Sequence, residues 1–180
     1  MSTDATTDAS VFEALFVRLL QPQGAFKEEL RAAGYNPDRP EMRYPNPVLL
    51  AALDVAARHV YPQLPRESAH RKLGQRFTDR YFTTILGRIT RTLVISLGVE
   101  RFVMQLPKFV SLSATGVAVT VTRLGRGEFK LVYVCQSQSP DFIAGSLEGG
   151  VDNLSAFNLR AEVVRRQPAE FELRVTRVTA

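Results

Sequence analysis

Val117-Ala118-Val119-Thr120-Val121-Thr122, then Gly125-Arg126-Gly127, then Phe129-Lys130-Leu131-Val132-Tyr133-Val134-Cys135, is the stretch that decides the fold. Side chains of an extended chain alternate between two faces, so both runs predict strands. The glycine-flanked arginine between them predicts a tight reversal, and the pair reads as a hairpin. Phe129, Leu131, Tyr133 and Cys135 share one face, with Lys130, Val132 and Val134 on the other.

Working outward, Ser139-Pro140-Asp141 is a helix start: a capping hydroxyl, a proline at the first position and an acid in the first turn. Ile143, Leu147, Val151 and Leu154 then share one side of a helix ending near Ser155. Residues 158–166 and 170–178 alternate again around the turn Gln167-Pro168-Ala169. The second half thus predicts a four-stranded antiparallel sheet in ββαββ order.

Upstream, Leu73, Phe77, Tyr81, Ile85, Ile89, Leu93 and Leu97 recur every fourth residue, which predicts a long central helix from Arg66, or two helices broken near Gly87. A short helix is expected over Val99–Leu106, ended by Pro107. Ala25–Ala33 reads as a short helix closed by Gly34, and Asn46 as the cap of another that runs to about Val60. Val11–Leu20 is dense in apolar residues and is read as extended or partly helical. Residues 1–9 read as a disordered leader, leaving 10–180 as one α+β domain whose N-terminal helices pack on the sheet.

With 180 residues, 45% hydrophobic and 23% charged, the chain can bury a core without staples. A single cysteine excludes an internal disulfide and thiolate clusters, which fits a reducing, cytoplasmic setting. The polar start Met1–Ser10 lacks the pattern of a secretory signal. Arg88 and Arg91 interrupt the best candidate for a bilayer span. The net charge of +5 is interleaved with acids, not gathered in a tract, so neither nucleic acid nor an integral membrane position is expected.

The order Leu106-Pro107, hairpin, Pro140-Asp141-Phe142-Ile143-Ala144-Gly145-Ser146-Leu147-Glu148-Gly149, closing hairpin resembles the C-terminal half of the haem–nitric-oxide-binding and 4-vinyl-reductase ligand-binding fold, over about residues 100–178. That topology is shared with trafficking-complex subunits of the TRAPP type. The whole chain, through Val11-Phe12-Glu13-Ala14-Leu15-Phe16, Ala32-Ala33-Gly34-Tyr35, Arg43-Tyr44-Pro45 and His70-Arg71-Lys72-Leu73-Gly74, is similar to a myxobacterial paralogous family. The resemblance implies a ligand-binding frame. Haem-binding members carry Tyr-x-Ser-x-Arg on the second hairpin strand, where this chain reads Tyr133-Val134-Cys135-Gln136-Ser137 without the arginine. The two histidines, His59 and His70, lie upstream of the axial position the resemblance implies. The expectation is therefore no haem and no other cofactor.

No phosphate loop, nucleophile elbow, zinc spacing or carboxylate pair is visible, so no catalytic residue and no metal ligand is assigned and a non-enzymatic domain is expected. His59 is placed at a helix end and His70 facing solvent; Cys135 is expected to be buried and inert. Periodicity nominates Phe77, Tyr81, Ile85, Phe102, Leu131, Tyr133 and Leu147 as the lining of a pocket for a small apolar ligand. Arg76, Arg80, Arg88 and Arg91, with the bare helix face of Gly145 and Gly149, are nominated as a surface for a protein partner or homodimer. The leading expectation is a sensing or adaptor domain; the alternatives are an interaction module without a small ligand, or an enzyme on a tetrapyrrole-like substrate.

Overall fold

In the computed structural model, which describes residues 5–152 and 157–179, the hairpin forms as β4 (Ala118–Gly125) and β5 (Glu128–Val134), with Val121 opposite Leu131 and Val119 opposite Tyr133. β5 pairs next with β7 (Glu170–Thr179), and β7 with β6 (Phe157–Gln167), giving an antiparallel sheet in the order β4-β5-β7-β6. Helix α7 (Pro140–Asp152) connects β5 to β6, so the ββαββ half is present. The alternation decides the buried face: Phe129, Leu131, Tyr133, Phe171, Leu173 and Val175 are all within the core. The expected end of α7 near Ser155 falls outside the described residues.

The N-terminal half begins with β1 (Thr6–Asp8) and α1 (Ala9–Phe12), which widens into a π-helical segment over Glu13–Leu20. There follow α2 (Gly24–Ala32), β2 (Arg43–Pro45), α3 (Asn46–Val60), α4 (Arg66–Tyr81), α5 (Ile85–Leu97), α6 (Val99–Ser113) and β3 (Ala114–Thr115). β1 sits between β2 and β3 in a second, small sheet. Thr6–Asp8, expected in a disordered leader, are instead held by pairing with Arg43–Pro45, and Thr6 and Thr7 also with Thr115 and Ala114. Phe12, Phe16, Tyr35 and Tyr44 form an aromatic knot, with Phe12 and Tyr44 4.3 Å apart between ring centroids. Burying each such ring contributes on the order of 2 kcal/mol.

The helical stretch from Arg66 is divided at 82–84. Thr84 is extended and its hydroxyl caps α5 by accepting from the Gly87 N–H at 3.0 Å, which ends one helix and starts the next. Helix α6 runs on past Leu106, through Pro107 to Ser113, where the expected stop at the proline was wrong. Pro107 costs α6 the bond to the Val103 carbonyl, and packing of Phe102, Val103 and Leu106 on the sheet outweighs that loss. Asn46 does not cap α3 with its side chain. It is fully buried, accepts from the Thr7 hydroxyl at 2.8 Å and donates to the Gln136 carbonyl at 3.4 Å, tying β1 to the loop after β5.

Helices α4 and α7 cross at backbone contact. A Cβ on Gly145 would lie 2.1 Å from the Arg71 carbonyl oxygen, one on Gly149 2.1 Å from that of Gln75, and one on Gly74 2.2 Å from that of Phe142. The glycine face of α7 is thus spent on α4 inside the domain, and Gly145 and Gly149 are not part of a partner surface. The crossing is locked by Arg71, which bonds Glu148 at 2.5 and 3.1 Å and the Ala161 carbonyl, while Glu148 accepts from the Ala161 N–H at 3.0 Å.

Candidate functional site

Between the helical half and the sheet half lies a cleft with a cavity of about 220 Å³. Leu49 and Leu53 come from α3, Phe77 and Tyr81 from α4, and Thr90 and Val94 from α5. Phe102, Leu106 and Phe109 come from α6, Tyr133 from β5, and Phe142 and Leu147 from α7. Each apolar side chain reaches the cleft by the periodicity that also builds the core, since helical residues three and four apart share one face. A cavity of this size lies just under the range of pockets that enclose drug-sized ligands.

Of the seven nominated pocket residues, Phe77, Tyr81, Phe102, Tyr133 and Leu147 line this cleft. Ile85 does not: the break at 82–84 rotates α5 away from the line of α4, and Ile85 is 82% exposed. Leu131 does not either. It is wholly buried between the sheet and the elements on it, two residues before Tyr133 on β5. The four arginines are exposed, but Arg76 and Arg80 stand on α4 and Arg88 and Arg91 on α5, so they do not form one continuous row. Arg76 is turned to the Tyr61 hydroxyl at 3.0 Å, and Arg88 to the Thr83 carbonyl at 3.3 Å.

Behind the cleft is a buried polar relay that the sequence did not disclose. His70, expected in solvent, is 1% exposed; it lies three and seven residues before Leu73 and Phe77, on their apolar face. Its Nε2 lies 3.1 Å from Asp54 Oδ1, and its Nδ1 2.8 Å from the hydroxyl of Ser139, which lines the cleft. We assign the ring proton to Nε2, which faces the carboxylate without completing a hydrogen bond to it, so Nδ1 accepts from Ser139 O–H. The Ser139 oxygen in turn accepts from the Phe142 N–H at 3.2 Å and caps α7. Burial pushes the His70 pKa down; Asp54 opposes that and Arg66 adds to it. Arg66 grips Asp54 through two bonds, at 2.6 and 3.1 Å.

His59, by contrast, sits at the end of α3 as expected, paired with Glu29 at 2.9 Å and stacked on Phe26. The Cys135 thiol is buried and donates to Gln138 Oε1 at 3.2 Å, and burial pushes its pKa up to about 11. Burial likewise holds the Tyr81 phenol at about 12 and pushes that of Tyr133 still higher. Among the described residues no group of three or more histidine, cysteine or carboxylate side chains is placed to hold a metal ion, and no helix is long and apolar enough to cross a membrane.

This architecture, a helical half and a ββαββ half closed over an apolar cleft, is the haem–nitric-oxide-binding type of fold. An H-NOX protein from S. oneidensis, in its Fe(II)NO ligation state, superposes with a TM-score of 0.72 at 13% identity, over 96% of this chain and 99% of that one. An oxygen-binding H-NOX domain related to soluble guanylate cyclases gives 0.63 at 14% identity, over 93% and 91%. An H-NOX mutant from T. Tengcongensis gives 0.60 at 15%, over 84% and 86%. The chain itself belongs to the family described as protein of unknown function (DUF2378), whose profile matches residues 5–176. No curated protein matches it.

These neighbours overturn the expectation of a chain without cofactor. The missing arginine after Tyr133 and the upstream histidines do not decide the matter, because the fold the chain adopts is that of proteins described with a distorted haem and with ligated iron. Tested against a haem, the walls are apolar on both sides as such a ring requires, but the cavity of about 220 Å³ lies below the range for drug-sized ligands and, among the described residues, no lysine or arginine lines it to meet the propionates. For its iron, the lining would offer only Tyr81 and Tyr133, a donor type that holds haem iron as phenolate, whereas burial favours the protonated phenol in both.

Proposed function

We propose that the domain is a sensing module that binds a small apolar ligand in the cleft between its two halves. The observation that carries this reading is the apolar cavity of about 220 Å³ walled jointly by α3 to α6 and by α7 with the loop before it. An occupant touching both halves would change how they pack, and a ligand shifts an equilibrium only through such differential contacts. The H-NOX neighbours make haem the first ligand to test. Native mass spectrometry and an absorption spectrum of the protein as purified test the reading together. A retained mass supports it, and a Soret band identifies the mass as haem. An empty protein that takes up neither haem nor a neutral apolar probe refutes it.

The reading is one of binding rather than turnover. Ser139, His70 and Asp54 have the residue types of a hydrolytic triad, but the serine oxygen is engaged by the Phe142 N–H and followed by Pro140, which has no N–H to offer an oxyanion.

A second reading, a protein-interaction surface, is favoured by α5. Although strongly apolar, it buries only Gly87 and Val94, and leaves Ile85 and Ile89 82% and 51% exposed beside Arg88 and Arg91. Light scattering of the wild type and of Ile85→Asp/Ile89→Asp tests whether α5 joins two copies. A dimer that becomes a monomer supports this second reading, and identical masses refute it.

A further inference from the structure

We infer that the cleft takes a ligand whose enclosed end is an uncharged hydroxyl, received by the loop Ser137-Gln138-Ser139; this rests on the ligand-binding reading above. The first observation is the charge of the walls. Among the described residues, no lysine, arginine, histidine, aspartate or glutamate lines the cleft, and both lining tyrosines stay protonated phenols at neutral pH. Charged groups beside the Ser139 end are already paired: Asp54 with Arg66 and His70, and Asp141 with Arg166 at 2.5 and 3.0 Å. A carboxylate or phosphate pushed into this space would lose its water with no cation to meet it.

The second observation is where hydrogen-bonding capacity remains. The other lining hydroxyls of the serine and threonine type have given their protons within the chain: Thr7 to Asn46, Thr78 to the Ser146 carbonyl, Thr90 to the Leu86 carbonyl, Ser113 to the Val110 carbonyl and Ser146 to the Phe142 carbonyl. Among the described residues, the lining donors left are those of Ser137 and Gln138, with the phenol of Tyr133 on the strand before them. Gln138 uses its Oε1 for the Cys135 thiol and keeps its amide N–H groups. Ser139 gives its proton to His70 and one lone pair to Phe142 N–H, and keeps the other lone pair.

Ser137, also in the lining, holds a left-handed φ of 55°, a conformation costly for a residue with a side chain and one that clusters at ligand clamps. The loop therefore presents a donor from Gln138 and an acceptor from Ser139 at one end of an apolar space. A hydroxyl, which both donates and accepts, satisfies the two at once. A carbonyl satisfies only the donor.

The test is a matched series, decan-1-ol, decanoic acid and decane, competing with a neutral solvatochromic dye for the purified full chain. At pH 8 decanol should bind at least about 100-fold tighter than decanoate, which can enter only in its protonated form and so loses roughly tenfold per pH unit above its pKa. Decanol should exceed decane by about 5-fold, on the order of one net hydrogen bond. Gln138→Met, which keeps the volume and removes the donor, should erase that advantage, bringing decanol and decane to equal affinity. Decanoate within threefold of decanol at pH 8, or no preference for decanol over decane, overturns the inference and leaves the cleft reading standing. Failure of all three to displace the dye overturns both.

Discussion

The His70 Nδ1 and the Ser139 hydroxyl, 69 residues apart in sequence, meet at 2.8 Å in the interior and join α4 to the first turn of α7. With the serine as donor the imidazole is neutral, and burial favours that form by holding the pKa of His70 below its ordinary 6.5. Unfolded chains therefore take up this proton at a higher pH than folded ones. As pH falls from above 7 through 6.5, the unfolded state gains protons first and folding stability declines until the lower, folded pKa is reached. Above that window His70 contributes no pH dependence. Urea denaturation at pH 7.5, 6.5 and 5.5 should show this decline in the wild type and a smaller one in His70→Asn; equal slopes in the two would remove His70 as the cause.

Removing the imidazole also opens a space beside Asp54 and leaves the Ser139 proton without its acceptor. His70→Ala should cost about 2–4 kcal/mol at pH 7.5, read from the urea midpoint at constant m.

Backbone contact between α4 and α7 leaves no room for a methyl group. Gly145→Ala or Gly149→Ala must move a carbonyl that is itself part of α4, so each should lower stability by about 2–3 kcal/mol or more, a fall of several degrees in Tm. Gly125→Ala is the matched control. There the nearest atom to a new Cβ is Glu128 Oε2 at 3.7 Å, and the change should stay within about 0.5 kcal/mol.

Much of this was legible in the sequence, and the reasons are local. Alternation along 118–134 and 157–179 determines which faces are buried, because a one-residue slip would turn Leu131 and Leu173 outward. Phe77, Tyr81, Phe102, Tyr133 and Leu147 could be placed at the cleft because a helix stripe and a strand face must meet somewhere. Ile85 and the length of α6 were misplaced for tertiary reasons. The Thr84 cap reorients α5, and sheet contacts carry α6 through a proline that local preference would make a stop. His70 and Ser139 could not be paired from the sequence, since neither carries a signal of the other. The glycines were recognised as a bare face, but its occupant, α4 and not a second protein, is a matter of topology.

Cys135 should be chemically quiet. With its thiol pKa near 11, very little thiolate exists at pH 7.5, and iodoacetamide should modify the native protein far more slowly than the urea-unfolded one. Comparable rates would mean that the loop after β5 opens readily, contrary to the tie from Asn46 to the Gln136 carbonyl.

The most direct test of the ligand cleft is saturation binding of a neutral solvatochromic dye to the wild type and to Leu147→Trp, in which an indole fills space that Phe77, Phe102 and Leu147 now border. One saturable site in the wild type, lost in the variant while its circular dichroism and urea midpoint stay close to wild type, is the predicted result. Equal binding by both proteins would place the dye elsewhere and contradict the account, as would no binding by the wild type.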